Sequence, residues 1–151
     1  MLGLGWYMMS IEDSPGSDWY FNLHKSIGFV VLVLVFVRSA WRLSHPPHPL
    51  PATIAQWQIR ASTMSHWALY VLMLALPLLG AIGALFSKHA LIFFGMAEVR
   101  LVTPNHAISV WFFFMHSFAA WLLVMMVSLH VLAALKHLFL DKDGVFQRMW
   151  F

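Results

Sequence analysis

Apolar residues fall into three long runs separated by polar, proline-rich or mixed connections. The first extends from about Tyr20 to Leu43 around "SIGFVVLVLVFV", and the second from about Ala61 to Phe86 around "HWALYVLMLALPLLGAIGALF". The third extends from about Ala107 to Leu140. Each is long enough for the roughly 20 residues a helix needs to cross hydrocarbon. At 1.5 Å per residue the third would be ~50 Å long, so its end should emerge from the bilayer. Pro77 lies inside the second run, where a kink is expected and neighbouring helices can satisfy the freed carbonyl.

The connections differ in kind. "SHPPHPLPATIAQ" is rich in proline, which ends helices and extends the chain. "SKHALIFFGMAEVRLVTPNH" joins the second and third runs, and its apolar patch "LIFFGM" is too short to cross, so it should lie at the membrane interface. "MLGLGWYMMS" is half a crossing length and has no basic flank. It reads as the outer end of a helix rather than as a signal peptide.

Composition points the same way. Of 151 residues, 61% are hydrophobic and 10% charged, against about a quarter charged in soluble domains. Residues 1–151 are read as a single integral-membrane domain, with abundant Met and Trp for adaptable packing and interfacial anchoring. The absence of cysteine excludes disulfides, thiolate metal sites and iron–sulfur clusters. The net charge of +3 is spread over loops, which argues against a nucleic-acid partner. Arg38, Arg42, Arg60, Lys136, Lys142 and Arg148 flank the proline-rich loop and the C-terminus, whereas Lys25, Lys88 and Arg100 lie on the other side beside Glu12, Asp13, Asp18 and Glu98. That asymmetry predicts a cytoplasmic proline loop and C-terminus.

Candidate chemistry lies in the histidines. His116 and His130 are 14 residues apart in the third run, and His137 follows 7 residues later. Fourteen residues make about 3.9 helical turns, which puts the first two on one face ~21 Å apart. His24 opens the first run at the depth of His116, and Arg38 stands 14 residues below it, level with His130. A lone intramembrane histidine is ordinarily a buried polar group bonded to a carbonyl; a matched set in two spans suggests a shared ligand. Haem iron takes axial histidines from above and below, and two facing histidines close the iron and favour electron transfer. Phe112, Phe113, Phe118 and Trp121 would shield a porphyrin; Arg38 and Arg42 are either propionate partners or ordinary cytoplasmic flanking charge. Zinc fits less well, since its ligands gather at one point. His45, His48, His89 and His106 are expected in loops, solvated or interfacial.

The segments "LHKSIGFVVLVLVFVRSAWRL", "SHWALYVLMLALPLLG", "FMHSFAAWLLVMMVSLHVLAALKH" and "DKDGVFQRM" resemble the bacterial cytochrome b561 family, dihaem membrane cytochromes related to nickel-hydrogenase cytochrome b subunits. The resemblance covers nearly all of the chain from about Trp6. It implies an all-α polytopic membrane four-helix bundle, here with a truncated first helix, located in the bacterial inner membrane. It also implies haem b, two in the complete pattern, with ubiquinone as substrate. A periplasmic donor would supply the electrons, superoxide in some members. By the same resemblance His24 and His116 ligate the periplasmic haem and His130 the cytoplasmic one. His66 and His137 match histidines near the quinone end, with Lys136 beside them, and Arg38 matches a basic residue in the span of His24.

The family's first helix carries a histidine that completes the second haem with His130, yet no histidine precedes His24 here. Either the true start lies upstream, as the abrupt "MLGLGWYMM" favours, or this chain has one fully ligated haem, with His66 as a substitute ligand. Whether the chain is a superoxide:quinone oxidoreductase or a pure carrier is open. The alternative function is a membrane-anchor subunit of a larger redox enzyme such as a hydrogenase, docking through the loop before the third run. Homodimerisation is a further expectation. A transporter is disfavoured by the lack of internal repeats or acid pairs.

Overall fold

The computed structural model describes residues 1–46, 54–89 and 91–149. His48, expected in a solvated loop, lies outside them. The described residues form an all-α bundle of four helices: α1 (Leu2–Ser10), α2 (Ser17–Ser44), α3 (Gln56–Leu85) and α4 (His106–Lys136). α1 is short; α2, α3 and α4 with its extension are each long and apolar enough to cross a membrane. α2 packs on α3 and α3 on α4, while α1 rests on α2 and touches α4 through Trp6 and Trp121, whose rings are 4.9 Å apart.

Local chemistry explains the boundaries. After α1 the chain turns through Gly16, whose φ of 87° is costly for other residues, and α2 then starts with Asp18 in its first turn, where a negative charge complements the helix dipole. Its last turn carries Arg42, which complements the opposite pole. α3 continues through Pro77 without interruption. α4 begins where Asn105 Oδ1 accepts the Ile108 N–H at 3.2 Å, and Asn105 N–H bonds the Phe86 carbonyl, tying the start of α4 to the end of α3. His106 is therefore the first residue of α4, exposed, and not a loop residue as its flanking sequence suggested. His45 and His89 follow helix ends and are exposed.

α3 and α4 share a close seam. Ser109 Oγ donates to the Gly83 carbonyl at 2.9 Å inside it, and a Cβ at Gly83 would lie 2.9 Å from the Phe113 ring. Lipid tails supply no hydrophobic drive between helices, so close approach over small residues and interhelical hydrogen bonds do this work. The outer surface is correspondingly apolar: Leu34 is 59% exposed and Trp121 58%. Such a surface is sustainable against acyl chains and not against water.

"LIFFGM" does not cross, but it is more ordered than its length implied. Leu91–Phe93 (β1) pairs antiparallel with Ala97–Val99 (β2), and of the three residues that join them Phe94 (φ 47°) and Gly95 (φ 75°) take positive φ. Hydropathy could not disclose this, because a three-residue strand carries too few alternations to read. Ser26 of α2, 2% exposed, latches the hairpin: its hydroxyl accepts the Phe94 N–H at 2.9 Å and lies 3.4 Å from the Ile92 carbonyl. Ser26→Ala should leave that N–H unpaired at a cost of about 1–3 kcal/mol. Amide exchange at Phe94 should rise at least several-fold, with the bundle unaffected; unchanged exchange would show the latch to be dispensable.

Candidate functional site

The histidines form two facing pairs, one toward each end of the bundle. At the hairpin end, His24 of α2 faces His116 of α4, with ring centroids 6.1 Å apart and planes at 86°. Both rings are partly buried. His116 Nδ1 donates to the Leu76 carbonyl of α3 at 2.8 Å. His24 Nδ1 is buried and has no hydrogen-bond partner among the described residues. A buried unpaired nitrogen is costly, so a ring held this way is poised for a ligand. Glycines flank the pair: a Cβ at Gly5 of α1 would lie 3.3 Å from His24 Cε1, and one at Gly80 of α3 would lie 2.8 Å from His116 Nδ1.

Toward the C-terminal end, His130 of α4 faces His66 of α3, with centroids 5.2 Å apart and planes at 61°. Ser65 Oγ lies 3.3 Å from His130 Nδ1. The resemblance groups His66 with His137, and the missing first-helix histidine makes it a substitute partner for His130; the structure sets its ring against His130. Arg38 is exposed on α2.

His137 follows α4 in a π-helical turn (His137–Asp141) closed by the Lys142 N–H on the His137 carbonyl at 2.8 Å. Its Nδ1 donates to Asp143 Oδ2 at 2.6 Å and lies 3.3 Å from Asp141 Oδ2, which also pairs with Lys136. His137, Asp141 and Asp143 bring ligand atoms within 4.8 Å of one another, a grouping that could hold a metal ion. Desolvation pushes the Asp143 carboxyl up, but the Val145 N–H and His137 outweigh it and hold the group below the usual carboxylate range. A depressed carboxylate contributes stability above its unfolded pKa and loses it as pH falls through the folded value. The pair should therefore persist at neutral pH and release only in acid. The Asp143 carboxyl carbon shift should titrate below pH ~3.9, the free-aspartate value; titration above it would contradict the pairing.

Sequence reasoning selected all the histidines now seen in pairs, and missed Gly5, Gly80, Ser65, Asp141 and Asp143 as parts of the site. For Gly80 a signal existed: glycine inside a helix costs roughly 0.5–1 kcal/mol relative to alanine, which hints at a close approach. For the Leu76 carbonyl there was none.

Long apolar helices with histidines paired between them toward both ends of the bundle define a multi-pass membrane protein with facing imidazoles in its interior. The family model described as "Prokaryotic cytochrome b561" matches residues 1–151. "Cytochrome b561 homolog 2" of Escherichia coli (strain K12) is 32% identical over 99% of this chain and 80% of its own length. "Cytochrome b561 homolog 1" of the same organism is 30% identical over 96% and 81%. "Probable superoxide oxidase CybB" of Yersinia pestis is 29% identical over 87% and 74%. The chain belongs to the prokaryotic cytochrome b561 family. It is a multi-pass membrane electron-transfer protein.

Proposed function

We propose that this chain is a haem b cytochrome of the bacterial inner membrane, a single integral domain carrying electrons between a periplasmic donor and membrane quinone. The carrying observation is the His24–His116 pair. Metal–imidazole bonds are about 2 Å long, and a centroid separation of 6.1 Å leaves space for one iron between the rings. The buried, unpartnered His24 Nδ1 and the carbonyl-bound His116 Nδ1 fit that use, since a ligating imidazole commonly has its other nitrogen bonded to a carbonyl. Haem b, when bound, supplies a reversible one-electron centre. His24 and His116 would hold that group between them, and an iron held by two imidazoles would have no open site for oxygen, which suits electron transfer.

His130 is the proposed ligand of a second haem toward the C-terminal end, with His66 the facing imidazole among the described residues. Arg38 on α2 is the proposed partner for a haem carboxylate at that depth. The excess of Lys and Arg around the proline-rich stretch and the C-terminus supports a cytoplasmic location for both. Ubiquinone is the proposed substrate at this end, met by His137 and Lys136. With the Nδ1–H of His137 donated to Asp143, Nε2 is the nitrogen left to face quinone, and only the doubly protonated ring donates there to a quinone oxygen and passes it a proton. The donor at the other face is of the superoxide class, the substrate suggested by the name of the Yersinia pestis relative.

Reconstitution tests this directly. Holo-protein in liposomes should pass electrons from superoxide generated outside to ubiquinone within the bilayer. A haem-loaded protein that leaves quinone oxidised under that flux would contradict the assigned direction and substrate.

A further inference from the structure

If His116 is an axial ligand, as proposed above, its ring must be held in one rotamer and one tautomer. Two α3 positions meet that ring. Leu76 and Gly80 are four residues apart and so share a helix face. The Leu76 carbonyl accepts the His116 Nδ1 proton at 2.8 Å. At Gly80 an added Cβ would stand 2.8 Å from Nδ1, 2.9 Å from Cε1 and 3.6 Å from Cγ of the same ring. The imidazole thus lies against the α3 backbone, in space that any side chain at position 80 would fill.

We propose that Gly80 and the Leu76 carbonyl form an imidazole slot that positions His116 as a ligand. The missing side chain at position 80 admits the ring, and the carbonyl takes the Nδ1 proton, leaving Nε2 as the nitrogen with a free lone pair. A bond from Nδ1–H to a carbonyl also strengthens the ring as a donor to metal. Gly80 is a positioning residue: it acts on iron only through His116. One turn along the same seam, Gly83 offers a built-in comparison. It is equally tight, 2.9 Å from a virtual Cβ to the ring, but that ring belongs to Phe113, which has no ligand role.

The test uses the full chain with haem bound, in four variants: Gly80→Ala, Gly83→Ala, His116→Ala and the Gly80→Ala/His116→Ala double. The readouts are haem content, the low-spin ferric EPR signal and carbon monoxide binding to the reduced protein. Gly80→Ala should lose most of the low-spin signal of the His24-bound haem, and the haem that remains should bind carbon monoxide. Gly83→Ala should keep its coordination. Should Gly80→Ala accumulate poorly, the double variant decides: without the imidazole there is nothing to displace, so adding Gly80→Ala to His116→Ala should not change accumulation further. Equal losses with and without His116 would make Gly80 a general packing residue and overturn the slot. An unchanged EPR signal in Gly80→Ala, with haem present in the wild type, would overturn the slot alone. A wild-type chain without haem would overturn the slot and the cytochrome reading together.

Discussion

Replacing His116 with alanine is expected to empty the hairpin-end site of haem while the protein still inserts in the membrane. His24→Ala should do the same, because one imidazole on the other face does not hold iron closed. The bundle should survive either change. Its contacts between α3 and α4 also include Ser109 on Gly83 and Phe113 against Gly83, which neither substitution touches. Pigment stoichiometry in membranes normalised to protein gives the reading. Full haem retention in both variants would remove His24 and His116 from the ligand set.

The second large effect is expected at the other end. His137→Ala should slow quinone reduction by roughly 10²-fold or more, the usual loss when a positioned proton donor is removed, with the haem spectrum intact. Asp143→Asn should move in the same direction by a smaller factor. It removes the carboxylate that orients Nδ1 and leaves the imidazole in place. Loss of haem in His137→Ala would instead make His137 a ligand, and unchanged quinone kinetics would move the quinone site away from this turn.

Much of this architecture is legible in the chain because lipid imposes simple rules. Long apolar runs must be helices, since no other open element satisfies its backbone in hydrocarbon. Ionisable residues in those runs must face the interior, so histidines at whole-turn spacing mark the axis of the site. Contacts made through the backbone were not legible. The Leu76 carbonyl that holds His116 carries no residue identity. The hairpin turn at Phe94–Gly95 depends on a dihedral at phenylalanine that composition disfavours. Partner choice was half legible: the chain offers His66 both as a neighbour of His137 and as a substitute partner for His130, and the packing of α3 on α4 sets its ring against His130. The acidic partners of His137 lie in "DKDG", where spacing does not reveal them, because the π-helical turn that brings them back onto the ring follows no 3.6-residue period.

The central claim is that this bundle holds haem through paired histidines. A dithionite-reduced minus oxidised optical spectrum of the purified protein, taken with a haem-to-protein ratio, tests it most directly. A b-type spectrum with at least one haem per chain, unreactive toward carbon monoxide, is the predicted result. A colourless protein, or a haem that binds carbon monoxide freely in the wild type, would contradict it.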